Sequence, residues 1–145
     1  YYCFAKNGFL QGNFTVEEWA VHNHWFNFLI KNKCTPPLGF IYLQTIPDVC
    51  YQRMLKRNRS GEEIVPLSYL QQLHDQHETF LIAKKDVLEE LTGIPVLTLE
   101  VSEEFATNDQ VLKQLLKKID NFVLSTARTS FQNVNAVLSY LDCHT

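Results

Sequence analysis

Two short apolar runs constrain the fold more strongly than any other feature of this sequence. The first, at residues 40–43, has no polar alternation, which is typical of a strand buried in a parallel sheet. The second, at residues 96–101, is rich in aliphatic and β-branched residues and follows a Gly-Ile-Pro break. Parallel strands need a long crossover connection, and the stretch between the runs has helical patterns. The sequence therefore predicts an α/β domain with helices covering a parallel sheet.

Helix-start signals divide the rest of the chain. Each is a capping residue or a proline, followed by apolar residues at helical spacing. They stand at Thr15 with Glu18, Pro47 with Asp48, Pro66, and Asn108 with Asp109. Apolar residues near the end predict one more amphipathic helix: Val134, Val137, Leu138 and Leu141. Two strands are too few for an independent sheet core, so we expect further strands before Tyr1.

Composition and charge exclude several classes of function. The chain has 145 residues, about one domain, and a formal net charge of −3, which argues against a nucleic-acid-wrapping surface. No apolar run approaches the roughly 18 residues that a membrane span needs. The four cysteines form no Cys-x-x-Cys pair, which favours reduced thiols in an intracellular protein. We expect the cytoplasm, with the mitochondrion as the alternative.

The strongest local signal is a cluster of three arginines. Arg53 and Arg57 are four residues apart and share one face of a predicted helix, and Arg59 extends the charge into the following turn. Guanidinium groups this close repel one another unless an anion lies between them, and phosphate oxygens suit their planar, bidentate geometry. The segment therefore predicts an anion site of the kind that phosphoryl transfer uses. The competing interpretation is a solvated basic face that pairs with Glu62 and Glu63.

Other candidate sites are weaker. His74 and His77 have the spacing of a metal pair on a helix, but no third ligand is evident, so we predict structural histidines and no metal site. No Gly-x-x-x-x-Gly-Lys-Ser/Thr loop is present, so nothing in this sequence can cradle the β-phosphate of ATP. Four aromatic residues after Thr15 recur at helical spacing and predict core or a subunit interface: Trp19, Trp25, Phe26 and Phe28.

Five segments form a recognisable set: Tyr2-Cys-Phe4-Ala-Lys-Asn7, Phe40-Ile-Tyr-Leu-Gln-Thr-Ile-Pro-Asp-Val-Cys-Tyr-Gln-Arg53, Arg57-Asn-Arg59-Ser-Gly-Glu62, Pro66-Leu-Ser-Tyr-Leu-Gln-Gln-Leu-His-Asp-Gln-His-Glu78 and Ile94-Pro-Val-Leu-Thr-Leu-Glu-Val-Ser-Glu-Glu-Phe105. Together they resemble the deoxycytidine, deoxyguanosine and mitochondrial thymidine kinases of the deoxynucleoside kinase family. The likeness runs from about Tyr2 to about Val123.

The resemblance implies a P-loop kinase fold, with a parallel sheet flanked by helices and truncated at its N-terminus, and usually a homodimer. It implies transfer of the γ-phosphate of ATP to the 5′-hydroxyl of a deoxynucleoside, with Mg²⁺ whose ligands lie outside this chain. Deoxyguanosine or deoxycytidine is the expected acceptor. The implied partners are a deoxynucleoside and a nucleoside triphosphate, with no nucleic acid and no membrane.

The resemblance also implies roles for individual residues. Arg57 and Arg59 match the lid arginines that close over the phosphates, which makes them the implied catalytic residues. Phe4 matches the aromatic residue that packs against the substrate base, and Glu62 matches the lid glutamate that bonds the sugar 3′-hydroxyl. Arg53 matches the arginine that stacks on the donor base. The implied donor contacts in the base-sensing loop are Glu103, Glu104 and Phe105.

The sequence departs from the family pattern in three places. The P-loop, the carboxylate base and the Glu-Arg-Ser arginine would all lie before Tyr1, so we expect a longer protein and predict that this chain alone is inactive. Gly61 and Glu104 stand where relatives commonly carry Glu and Asp, which predicts a more flexible lid and a slightly altered base loop. From about Ala127 the likeness ends, which divides the chain into a kinase part, 1–126, and a divergent tail, 127–145.

Two other functions stay open. The chain could be a truncated, non-catalytic isoform that acts only as the dimer partner of a full-length protein. Nucleoside monophosphate kinases share the lid arginines as well, and their acceptor carries a phosphate that a nucleoside lacks.

Overall fold

The computed structural model describes residues 1–103, 105 and 108–142, with side chains described as far as residue 132. The helices are α1 (Phe4–Leu10), α2 (Val16–Asn32), α3 (Pro47–Arg57), α4 (Leu67–His77), α5 (Glu89–Thr92) and α6 (Asp109–Asp142), and a π-helical turn (Glu78–Ile82) follows α4. The strands are β1 (Phe40–Gln44) and β2 (Val96–Glu100). The chain forms two compact units, the first from residues 1–36 and 44–93 and the second from residues 37–43 and 94–145.

In the first unit, the start of α2 follows from its capping box. The Glu18 N–H donates to the Thr15 hydroxyl at 3.2 Å, and the Thr15 N–H donates to the Glu18 carboxylate at 2.8 Å. These two bonds satisfy amides that the end of a helix would otherwise leave without partners. The predicted start of this helix is confirmed.

The aromatic residues of α2 divide between two environments. Trp19 and Phe26 stack on Tyr1, with ring centroids 5.3 and 4.0 Å apart. Trp25 and Phe28 pack edge to face on each other but remain 57% and 40% exposed. The helix therefore packs one aromatic stripe inside its own unit and leaves a second stripe open.

The segment after α4 changes its helical period. The Ala83 N–H donates to the Glu78 carbonyl, five residues earlier, at 2.9 Å, which is the spacing of a π-helical turn. Phe80 in this turn stacks on the buried Tyr2 with ring centroids 4.4 Å apart. The Tyr2 hydroxyl in turn accepts a hydrogen bond from the Leu88 N–H at 2.9 Å. The π-helical turn thus ties the first residues of the chain to the loop before α5.

In the second unit, β1 and β2 form the predicted parallel pair. Leu99 of β2 is 1% exposed, and α6 packs against this strand. Gly39, just before β1, lies against the Phe122 ring of α6, and a β-carbon there would come within 2.6 Å of the ring. Glycine at this position therefore allows the close approach of the strand and the helix.

Only one face of β1 is buried, which differs from the predicted fully buried strand. Tyr42 is buried, whereas its neighbours Ile41 and Leu43 are exposed. Successive side chains of a strand point to opposite faces, so the alternation marks one packed face and one open face. One packed helix covers one face of a two-stranded sheet and leaves the other face open.

The helix α6 has 34 residues and begins at the predicted cap, where the Asn108 side chain accepts from the Val111 N–H at 3.3 Å. The tail helix that the sequence predicts separately is a continuation of α6, because no glycine or proline interrupts 109–142. The predicted boundary between 126 and 127 lies inside this helix and stays a prediction. Neither α6 nor any other helix in the described part of the chain has the length and hydropathy of a membrane span.

Candidate functional site

The arginine cluster stands at the end of α3, where local signals of the sequence place it. Pro47 occupies the first turn and Asp48 supplies the acidic residue that the helix N-terminus favours. The helix ends at Arg57 because Asn58 adopts a left-handed conformation, with φ 48° and ψ 49°. Arg53 and Arg57 therefore lie one turn apart, and the positive charge of Arg57 is at the C-terminal end, where the helix dipole stabilises it.

A tight turn then reverses the chain behind the helix. The Glu62 N–H donates to the Arg59 carbonyl at 3.1 Å, which closes a four-residue turn with Gly61 in its third position. Gly61 has φ of +91°, which the third position of a type II turn requires and which other residues rarely adopt. Gly61 therefore has a defined backbone role in this segment.

The turn returns the Glu62 carboxylate to the end of α3. Arg57 Nε donates to Glu62 Oε2 at 3.2 Å, and Arg57 Nη2 lies 2.8 Å from both carboxylate oxygens. Arg59 Nη1 is 3.8 Å from Glu62 Oε1, so one carboxylate faces two guanidinium groups. The Glu63 carboxylate accepts from the Gly61 N–H at 2.7 Å instead. The trio of Arg57, Arg59 and Glu62 keeps one net positive charge that a further anion can neutralise.

The surface around this trio is concave on a small scale. A hollow of about 110 Å³ opens beside Arg59 and Glu62. Ligand pockets for whole drug-sized molecules are typically about 300–1,000 Å³, so the hollow fits a group of the size of a phosphate and not a nucleotide. Its lining residues are Met54, Leu55, Asn58, Arg59, Glu62 and Glu63.

Phe4, the predicted base-packing residue, is the first residue of α1 and is 65% exposed. Its ring meets the His77 ring edge to face, with centroids 6.1 Å apart. His77 Nδ1 lies 2.6 Å from the Leu73 carbonyl, which only accepts, so Nδ1 carries the proton. His77 thereby contacts the Phe4 ring, most of whose surface is open.

A polar network that sequence reasoning missed lies at the carboxyl end of β1. The Gln44 side chain donates to Glu78 Oε1 at 2.6 Å, and His74 Nε2 lies 3.9 Å from the same oxygen. The carboxyl ends of strands are where open α/β sheets bind their ligands. The one signal for it in the sequence is the polar Gln44 directly after an apolar run.

The predicted base-sensing loop belongs to the second unit. Glu103 is exposed and Phe105 is half-buried, and the Asn108 N–H donates to the Phe105 carbonyl at 3.4 Å. Glu104 lies outside the described residues. Arg53 is half-buried on α3 in the first unit. The structure brings together Arg57, Arg59 and Glu62, and the donor-base contacts stay predictions.

Comparison with known proteins identifies the family to which the chain belongs. A family model described as deoxynucleoside kinase matches residues 1–124. Deoxycytidine kinase 2 of Gallus gallus is 39% identical over 130 residues, which cover 86% of this chain and 48% of that protein. Mitochondrial deoxyguanosine kinase of Xenopus laevis is 35% identical over 126 residues, which cover 84% of this chain and 48% of that protein.

A third relative, mitochondrial thymidine kinase 2 of Homo sapiens, is 36% identical over 81 residues, 56% of this chain. The chain spans about half the length of the first two relatives. The family has a P-loop kinase fold, and the parallel strands and helices described above agree with its α/β class. The match over nearly the whole chain shows that this protein belongs to the deoxynucleoside kinase family.

Proposed function

We propose that the full-length gene product transfers the γ-phosphate of ATP to the 5′-hydroxyl of a deoxynucleoside, with deoxyguanosine or deoxycytidine as the preferred acceptor. The observation that carries this proposal is the trio of Arg57, Arg59 and Glu62 at the end of α3. In a chain of this family, two guanidinium groups with one carboxylate form a group that can bind phosphate and a sugar hydroxyl side by side.

The two arginines are proposed to stabilise the charge of the transferring phosphoryl group. Phosphoryl transfer depends almost entirely on positioning and electrostatic stabilisation, and one preorganised donor that contacts the reacting group contributes about 2–4 kcal/mol. The exposed side chains of Arg57 and Arg59 can reach such a ligand without a change in the fold of α3.

The acceptor is proposed to contact Phe4 and Glu62. Phe4 is 65% exposed, so a base can stack on its ring, and such stacking tolerates more than one base. The Glu62 carboxylate can accept a hydrogen bond from the sugar 3′-hydroxyl. A site built to bond a hydroxyl rejects an analogue that lacks it, because the carboxylate is then left without its partner.

The donor is proposed to contact Arg53 and, separately, the loop residues Glu103, Glu104 and Phe105. Mg²⁺, when bound, would neutralise charge on the donor phosphates. The Mg²⁺ ligands are proposed to lie outside this chain. The cytoplasm is kept as the proposed compartment, although two relatives carry mitochondrial names.

The experiment offers γ-labelled ATP to the purified full-length gene product, with deoxynucleosides in one series and their monophosphates in the other. The proposal expects label in the 5′-monophosphates of deoxyguanosine or deoxycytidine. Label only in diphosphates would make the protein a nucleoside monophosphate kinase. No label in either series would contradict the proposal.

We also propose that the full-length gene product is a homodimer. The support in this chain is the open stripe of α2, where Val21, Trp25 and Phe28 are exposed four and three residues apart. Light scattering after gel filtration should give twice the monomer mass, and Trp25→Ser with Phe28→Ser should shift the mass toward the monomer. A wild-type monomer at micromolar concentration would contradict this part of the proposal.

A further inference from the structure

Glu62 occupies the donors of Arg57 that an oxyanion would need. The carboxylate takes the edge formed by Arg57 Nε and Nη2, with distances between 2.8 and 3.2 Å. Carboxylates and phosphates both bind this edge of a guanidinium through parallel charge-assisted hydrogen bonds. A phosphate group therefore binds this edge of Arg57 only when Glu62 leaves it.

We propose that Glu62 is an exchangeable counter-ion that couples binding of the acceptor sugar to binding of the donor phosphates. This inference rests on the proposed function of the trio. Without ligands, Glu62 pairs with Arg57. With both ligands bound, phosphate oxygens take the guanidinium edge of Arg57, and the Glu62 carboxylate accepts a hydrogen bond from the sugar 3′-hydroxyl.

The surroundings of Glu62 allow this exchange. The side chain of Arg57 is 54% exposed, so an incoming anion can approach the guanidinium group that Glu62 occupies. Glu62 lies between two consecutive turns. The Glu62 N–H closes the first turn by donating to the Arg59 carbonyl, and the Val65 N–H closes the second by donating to the Glu62 carbonyl. Its side chain can therefore change partner without disrupting a helix.

The neighbouring acid does not compete for the same role. The Glu63 carboxylate is held by the Gly61 N–H at 2.7 Å, inside the turn. The Arg59 guanidinium, 3.8 Å from Glu62, stays close to the carboxylate and limits the cost of its release from Arg57. Glu62 is thus the residue through which the two ligands communicate, and Glu63 offers a matched control.

The coupling has a measurable consequence, because coupling between two sites is reciprocal. A deoxynucleoside that gives Glu62 a new partner should raise the affinity for the triphosphate by about fivefold or more, within the usual range of about 5–150-fold. A 2′,3′-dideoxynucleoside offers no hydroxyl to Glu62 and should leave the affinity for the triphosphate nearly unchanged. Discrimination between the two sugars then appears in the binding of the donor.

The experiment measures by calorimetry the binding of a non-hydrolysable ATP analogue to the full-length gene product. The titration is made without nucleoside, with saturating deoxyguanosine and with 2′,3′-dideoxyguanosine. Wild type and Glu63→Gln should show the coupling with deoxyguanosine alone. Glu62→Gln keeps the shape and a hydrogen-bond acceptor but removes the charge, so it should bind the analogue about fivefold or more tightly by itself and lose the coupling.

A second series replaces the analogue by inorganic tripolyphosphate and needs no nucleoside. Glu62→Gln should tighten the binding of tripolyphosphate when Arg57 is present, and it should have no effect when combined with Arg57→Ala. Unchanged affinity in Glu62→Gln, or equal tightening in both backgrounds, would overturn the exchange. A wild-type protein that phosphorylates nucleosides but shows no coupling contradicts this inference alone. A normal tripolyphosphate response without any nucleoside turnover contradicts the proposed function alone.

Discussion

Arg57 and Glu62 form a bidentate ion pair between the last residue of α3 and the end of the following turn. The sequence offers two interpretations of this segment, an anion site and a basic face neutralised by acids. The structure shows that the two are compatible, because one carboxylate faces two of the arginines and leaves a net positive charge. The pair is a resting arrangement of the same groups that we propose to bind phosphate.

Removal of either lid arginine should lower kcat more than it raises KM. In the full-length gene product, Arg57→Ala or Arg59→Ala should each cost about 2–4 kcal/mol in the transition state, as for other preorganised electrostatic donors. The measurement is kcat and kcat/KM with deoxyguanosine or deoxycytidine at saturating ATP. Unchanged kcat/KM in both variants would return the cluster to a solvated basic face.

Gly61→Ala should destabilise the turn that carries Glu62. The space around a new β-carbon is open, so the cost comes only from the backbone φ of +91°. An L residue in this conformation costs about 1 kcal/mol relative to glycine. Urea unfolding of Gly61→Ala and of the neighbouring control Ser60→Ala checks this. Equal stability of the two variants would show that the turn does not need the positive φ.

The hydroxyl of Tyr2 should make a measurable contribution to stability. Tyr2→Phe keeps the ring that stacks on Phe80 but leaves the Leu88 N–H without its acceptor, which should cost about 1 kcal/mol. The measurement is the free energy of unfolding at neutral pH. An unchanged value would mean that water replaces the tyrosine hydroxyl at no cost.

The same residue predicts a pH dependence. Burial raises the pKa of Tyr2, the Leu88 N–H works against this and the Glu90 carboxylate adds to it. The folded state therefore favours the protonated phenol. The contribution of this phenol to the stability of the protein is fully present below the unfolded pKa of about 10, and it is lost as pH rises through the higher folded pKa. Tyr2→Phe should lose stability less steeply above about pH 10 than wild type. Burial and, after it, the neighbouring Tyr2 raise the pKa of Tyr1, so Tyr2→Phe also removes part of the Tyr1 shift and lessens the pH dependence further. Parallel curves would contradict the assignment to Tyr2.

Local signals in the sequence predicted the starts of most of the helices. The capping box at Thr15, the proline at 47 and the cap at Asn108 each mark a helix start that the structure confirms. These signals act within a single turn of helix, so they can be identified without the rest of the fold. The short helix α1 was missed because Cys3 gives it no side-chain cap and Gly8 lies in its interior.

Contacts between distant residues could not be predicted in this way. The Gln44–Glu78 bond joins residues 34 positions apart, and the bond between Tyr2 and Leu88 joins residues 86 apart. The π-helical turn was missed because its apolar residues continue the apolar stripe of α4. Nothing in the sequence marks the change from four-residue to five-residue hydrogen-bond spacing. The sequence offers both Glu62 and Glu63 as partners of the arginines, and the choice of Glu62 for Arg57 depends on the turn at Gly61, whose φ appears only in the structure.

The chain of 145 residues should have no kinase activity by itself. It has no Gly-x-x-x-x-Gly-Lys-Ser/Thr loop to hold the β- and γ-phosphates, and positioning supplies most of the catalysis of phosphoryl transfer. The measurement is turnover of ATP with deoxyguanosine by the purified chain. Turnover above the background of a matched Arg57→Ala preparation would show that this prediction is wrong.

The most direct test of the proposed site is the ratio of kcat/KM for a 2′-deoxynucleoside over its 2′,3′-dideoxy analogue, measured in the full-length gene product. Wild type should prefer the 3′-hydroxyl by at least about tenfold, because an unpaired carboxylate costs about 1–3 kcal/mol. Glu62→Ala removes both the bond and the penalty, so its ratio should fall toward one, while Glu63→Ala should keep the wild-type ratio. A wild-type ratio in Glu62→Ala would contradict the account, and a ratio that collapses only in Glu63→Ala would place the sugar contact one residue further along the chain.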